Sequence, residues 1–416
     1  MTLPNYRRTR FACYFSYLSM ASVFVLPAML FTTFRNMYGI SFTLLGTLVV
    51  VNFCTQMLID LVFTFFSRHF NIALTVRIMP VMTCFGLLLY ALIPTLFPQY
   101  AYWGLVIGTV IFSVAAGLSE VLLSPIVSAI PSDHPEKDMS LLHSLYGWGV
   151  VSVVLLSSVY FLLFGTENWV YLAAFYAVLP LIPCWLFCTS PIPPLTLSQA
   201  EQKQKTPGRA KRLFLCALCI FLGSSAENMM TNWVSGYMEI ALHVPKETGD
   251  ILGLAIFAFL LATTRVVYAK FSPSIIKVLL WGMVGAAGCY LVAGLSPDVI
   301  LAFAACILTG IFTSMLWPGT LILMEEKIAA PGVAAYALMA AAGDCGAAIA
   351  PQLLGIIADN VAVSDFALSA SQTLGMTPDE IGLKTGMLIV SIFPIIGFML
   401  VLYMKRYFRK SKSIAK

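Results

Sequence analysis

The chain is predicted to be an all-α membrane protein with about twelve spanning helices in two halves of six. Three observations predict this. Of 416 residues, 60% are hydrophobic and only 10% charged, whereas soluble domains carry about 25% charged residues. Mean hydropathy is +0.90. Apolar runs of spanning length, roughly 20 residues each, recur along the chain with one long polar interruption near its middle. Lysine and arginine fall almost entirely in alternate connections between the runs.

The runs of the first half lie near 11–33, 42–66, 72–96, 101–130, 140–164 and 168–188. The stretch SPIPPLTLSQAEQKQKTPGRAKR then interrupts. Those of the second half lie near 213–238, 249–269, 274–294, 299–324, 333–357 and 385–404. The expected domains are an N-terminal six-helix bundle over 1–190, a linker over 191–211 and a C-terminal six-helix bundle over 212–416. NYRRTR before the first run has the charge order of a signal peptide. Its apolar run is too long and no small-residue cleavage site follows, so a retained first helix is expected.

With the N-terminus in the cytoplasm, only Arg35, Lys246 and Lys384 fall outside. Both termini and the linker are therefore expected inside a plasma (inner) membrane. The last long outside connection carries Thr377-Pro378-Asp379-Glu380, the pattern of a capping box with proline at the first helical position.

The halves look related. Gly117 precedes Pro125 by eight residues in the fourth run, and Gly310 precedes Pro318 by eight in the tenth. Each is followed by a glycine-spaced helix, with Gly147 and Gly149 in the fifth run and Gly343 and Gly346 in the eleventh. Six-helix repeats about an axis along the membrane normal are a transporter plan.

Several classes are excluded or disfavoured. The 10 cysteines sit in or beside apolar runs and read as small hydrophobes, the Cys216-x-x-Cys219 pair included. No G-x-x-x-x-G-K-[ST] loop is present, so ATP is not the expected energy source. No cofactor, metal cluster or catalytic constellation is expected, and the protein does not read as an enzyme. The net charge of +5 is spread over loops and ends, so nucleic acid is not an expected partner.

An ionisable group at the centre of a span costs about 2.5–3.5 kcal/mol on insertion scales. Four acids carry that cost: Asp60, Glu120, Glu227 and Asp344. Glu120 shares a 4-3-4-4 stripe with Ser113, Gly117, Ser124 and Ser128, a small polar helical face that suits a cavity or another helix. A carboxyl there that loads and releases a proton would couple transport to a proton gradient; the competing reading is an acid that only hydrogen-bonds a neighbouring helix. Glu227 lies in GSSAENMMTNWVSGY with Asn228, Asn232 and Trp233. Amides, a carboxylate and an aromatic face suit a polyhydroxylated solute, and helix–helix hydrogen bonding competes. Asp344 among small residues suits either a cavity or tight packing. Asp60 is expected in a structural gate with Arg68 or Arg77, or with the second half, and Arg265 with Glu325 or Glu326 in its counterpart. His143, a turn into the fifth helix, is a candidate proton relay. Tyr146, Trp148 and Trp317 are candidate cavity residues.

The chain resembles the major facilitator superfamily over nearly its whole length. FTFFSRHFN keeps Arg68 of that superfamily's loop motif between helices two and three and little else. A closer likeness is to the fucose–galactose–glucose/proton symporter family. Leu118-Ser119-Glu120 with Pro125 is similar to its fourth-helix motif. His143, Tyr146, Gly147 and Gly149 stand at the positions of its fifth-helix motif, with histidine for glutamine and tyrosine for asparagine. GIFTSMLWPGTL and GDCGAAIAPQLLGIIAD look like its tenth and eleventh helices. The resemblance implies that Glu120 is the proton-linked glutamate. It also implies an acid in the first helix, which this chain lacks between Phe11 and Thr33; Glu227 is the expected substitute.

The expected function is therefore secondary active transport: symport of a small polar solute, a monosaccharide foremost, with H⁺ (or Na⁺), by a functional monomer in the lipid bilayer. Export of amphipathic drugs or metabolites by proton antiport is the alternative within the class. A non-transporting receptor or membrane enzyme is the alternative outside it.

Overall fold

The computed structural model describes residues 5–66, 69–133, 135–193, 208–271, 273–328 and 333–414. Among them are twelve helical spans long and apolar enough to cross a membrane. The first six are α1 (Arg7–Met29), α2 (Phe42–Phe63), α3 (Ile72–Leu96), α4 (Pro98–Val127), α5 (Leu145–Phe164) and α6 (Thr166–Cys188). The second six are α7 (Arg209–Ala241), α8 (Gly249–Tyr268), α9 (Ile275–Leu295), α10 (Val299–Lys327), α11 (Leu338–Ala362) and α12 (Pro378–Arg409). All twelve expected runs are present and their order is as read from hydropathy. Large apolar side chains such as Phe65, Leu163, Trp281 and Ile300 point outward and are more than half exposed. That is tolerable where lipid is the solvent.

The spans form two compact units. The first holds Met1–Ile40 and Val51–Gln199, and the second Ser41–Val50 and Ala200–Lys416. The opening turns of α2 thus pack with the second unit. There Asp359 accepts from the backbone N–H of Phe42 (3.1 Å) and Thr43 (2.6 Å), which satisfies donors that a helix start leaves unpaired. In the first unit, Tyr17, Leu118, Leu122, Leu123 and Phe187 belong to one buried cluster. In the second, Trp233, Tyr237 and Tyr290 are fully buried.

Helix ends follow their sequence signals. Asn71 caps the start of α3 by accepting from Leu74 N–H at 3.1 Å. Asp298 caps α10 through Ile300 and Leu301. Thr377 and Glu380 form the reciprocal capping box at the start of α12, as its TPDE pattern predicts. The same connection between α11 and α12 holds a short helix, Asp365–Leu374. The expected linker region is described only at its edges; residues 194–207 and Arg68 lie outside the described residues.

Proline interrupts α10 in a way that bears on the site. The helix runs to Thr313, turns at Ser314 and Met315, and resumes at Leu316. Pro318 has no N–H to give the carbonyl four residues back, which is that of Ser314.

Candidate functional site

In the first unit the site is built where α4 meets α2. Gly117 makes the close approach possible: a Cβ there would lie 3.1 Å from Ile59 Cβ and 3.2 Å from Gln56 Cα. One turn before that contact, Ser113 donates to Asn52 Oδ1 at 2.6 Å, and Gln56 donates to the same oxygen at 2.9 Å. One turn beyond it, each helix carries an acid, Glu120 on α4 and Asp60 on α2. Their carboxyls are close enough to feel each other's charge. Asp60 is buried and Glu120 exposed. Ser124, the next member of the Glu120 stripe, is bonded to the Tyr17 hydroxyl of α1 at 3.4 Å. Ser128 belongs to the same stripe in sequence; its side chain lies outside the described residues.

Asp60 has Glu120 among its neighbours. Arg77, one of its expected partners, donates instead to the Phe187 carbonyl at 3.2 Å. The other, Arg68, lies outside the described residues.

In the second unit, Glu227 of α7 pairs with Arg265 of α8 at 3.0 Å. Arg265 Nε also donates to the Ser314 carbonyl at 2.9 Å. That carbonyl is the one Pro318 cannot serve, so the proline creates the acceptor that aims the guanidinium. Glu227 Oε2 is enclosed and meets no hydrogen-bond donor among the described residues. The expected pairing of Arg265 with Glu325 or Glu326 is thereby corrected. Glu325 accepts from the Tyr336 hydroxyl, and Glu326 pairs with Lys327 at 3.0 Å. Burial first, and then the Glu325 carboxylate, push the Tyr336 hydroxyl up to about 12.

The polar stripe of α7 is partly turned on its own helix. Asn228 donates to Ser224 O and Oγ at 3.2 and 3.1 Å. Asn232 donates to Asn228 O at 2.8 Å. Trp233 is 1% exposed, gives its indole N–H to Pro351 O at 3.0 Å, and meets Phe42 edge-on with centroids 5.6 Å apart. Burial leaves no face of Trp233 for a sugar ring, so its expected stacking role is replaced by a packing one.

The remaining candidates scatter. Trp317 lies against Gly343 of α11, where a Cβ would sit 2.2 Å from its ring. Asp344, the next residue, is buried. Tyr146 meets Phe24 edge-on at 5.9 Å. Trp148 is 60% exposed, while its neighbour Gly149 packs on Leu18 of α1. His143 lies in the helix Pro135–Phe164, and its side chain is outside the described residues.

Two parts of the site were missed in the sequence. Asn52, Gln56 and Asp60 stand four apart in an otherwise apolar helix, a stripe that spacing alone would have revealed. The Arg265 anchor on Ser314 had its signal in Pro318, read only as a repeat marker. Among the described residues, no group of three or more His, Cys, Asp or Glu side chains could hold a metal ion.

Comparison with known proteins completes the description. A search of curated proteins finds no match. Among solved structures, a bacterial homologue of the human lysosomal transporter Spinster, inward-facing and unoccupied, superposes with a TM-score of 0.79 at 13% identity, covering 97% of this chain and 98% of that one. A D-xylose–proton symporter gives 0.71 at 15% identity, over 93% and 96% of the two chains. The nucleoside transporter NupG gives 0.69 at 14% identity, over 96% and 98%. At these identities the likeness is one of fold. The family model of the Major Facilitator Superfamily matches residues 11–351, and the chain belongs to that superfamily of multi-pass membrane transporters.

Proposed function

We propose that the protein carries a small polar solute of the monosaccharide class across the membrane together with a proton, by alternating access. The observation that carries this reading is Glu120, a carboxyl on a membrane-spanning helix one turn beyond the close approach at Gly117. A carboxyl in an apolar span is costly when charged, so taking up and releasing one proton there couples transport to a proton gradient. Glu120 takes and releases that proton. Asp60 and the Tyr17–Ser124 contact hold the site around it.

The solute is read in the second unit, around Glu227. Glu227 Oε2 lacks a donor among the described residues, and a solute hydroxyl supplies one. Asn228 and Asn232, with their amide N–H groups committed to the helix, keep side-chain oxygens as acceptors. The fourth-helix likeness to the fucose–galactose–glucose/proton symporters and the fold likeness to a D-xylose–proton symporter support a sugar as the class.

The test is Glu120→Gln in proteoliposomes loaded with a panel of labelled monosaccharides. The variant is expected to exchange solute across the membrane as fast as the unmodified protein. It is also expected to lose accumulation driven by an imposed pH gradient. Full gradient-driven accumulation by the variant overturns Glu120 as the proton carrier. Failure of every monosaccharide to exchange in the unmodified protein overturns the solute class. A drive by Na⁺ in place of the pH gradient overturns the ion.

A further inference from the structure

The first unit contains a small cavity apart from the Glu120–Asp60 pair. It lies between α1, α3, α4 and α6, with the hydroxyls of Ser16, Ser19, Thr83 and Ser119 on its wall. About 10 Å³ of it is open to the centre of a water-sized sphere, close to the least that holds one water.

Hydrogen accounting around the cavity leaves one proton over. Ser19 donates to Ser16 O at 3.1 Å. Thr83 donates to Met79 O at 3.2 Å. Ser119 donates to Ala115 O at 2.8 Å. Each of these hydroxyls keeps lone pairs free to accept. Ser16 differs: it is 6% exposed, and its Oγ meets no hydrogen-bond partner among the described residues. A serine inside a helix ordinarily bonds back to the carbonyl a turn before; Ser16 does not. Val23, on the same wall, has a carbonyl that lost its helical donor to Pro27.

We infer that this cavity holds one ordered water. The water accepts the Ser16 O–H and donates its two protons to waiting oxygens among Ser19, Thr83, Ser119 and Val23 O. That gives it the two to four polar partners a buried water keeps. The wall carries no carboxylate, so a cation entering would lose its hydration without charge compensation. Ser16 and Ser119 precede Tyr17 and Glu120 in the chain, so the water sits behind the helical turns that carry those residues. It is required by the serine whether or not Glu120 carries a proton.

X-ray radiolytic footprinting of the full chain in lipid nanodiscs tests this, because bound internal water yields hydroxyl radical beside its neighbours. Met20 lines the cavity and is 9% exposed; Met29 and Met230, off the cavity, are at 0%. Met20 is expected to oxidise at least tenfold faster than either reference. Ser16→Val, which removes the hydroxyl and fills the space, is expected to bring Met20 down to the reference rate. Thr83→Val, nearly isosteric, is expected to lower it as well and serves where the first variant misfolds. Met20 oxidising no faster than Met29 in the unmodified protein overturns the site. So does a Met20 rate that neither variant changes. Labelling that appears only with Na⁺ present overturns water as the occupant.

Discussion

Arg265 is held at two points by different means. Its Nε is fixed on the Ser314 carbonyl and its Nη2 on the Glu227 carboxylate. The guanidinium fork supplies both donors from one rigid plane, and an ammonium does not. Arg265→Lys keeps the charge and is expected to lose one of the two bonds. A bond to a charged partner contributes about 1.5–3 kcal/mol, so solute uptake should fall roughly tenfold or more while the protein stays folded. Uptake within twofold of the unmodified protein would show that the orientation of Arg265 does not matter.

Helix packing decides where such residues land. On α2 and α4, three successive turns pair Asn52 with Ser113, Gln56 with Gly117 and Asp60 with Glu120. The two helices advance in step, so one small residue in the middle sets the spacing for the acids below it. On α10 the device is a break. Pro318 leaves the Ser314 carbonyl open, and α8 fills it with Arg265. Pro318→Ala restores the helical N–H to Ser314 and sets it in competition with Arg265. Because proline inside a helix costs about 3 kcal/mol where nothing compensates, this variant is expected to melt at the same temperature or higher. Its uptake is nevertheless expected to fall. A variant that melts unchanged and transports unchanged would separate the proline from the placement of Arg265.

At the level of the chain, twelve spans in two units match the superfamily fold. The lysine and arginine distribution predicts both termini on the cytoplasmic side. Single cysteines introduced at Lys412 and Ser369, in a background without native cysteines, test this in whole cells with a membrane-impermeant maleimide. Ser369, in the outer helix Asp365–Leu374, should label in intact cells, and position 412 only after permeabilisation. The reverse pattern would invert the topology.

Much of this architecture was legible from residues alone. Hydropathy and charge are local properties, and lipid enforces them span by span. The twelve runs therefore appear close to where they were expected, and the capping box at Thr377 forms as its four residues predict. The costly acids were legible for the same reason, since any charge in an apolar run stands out. Partnership was not. Arg265 is expected beside Glu325 or Glu326, yet it meets Glu227 and a backbone carbonyl. Trp233 read as a sugar platform and is enclosed between Phe42 and Pro351. Which side chain meets which depends on the rotation of each helix about its axis, on a close approach such as that at Gly117, and on an acceptor freed by Pro318. These are relations between helices, and they exist only once the helices are packed.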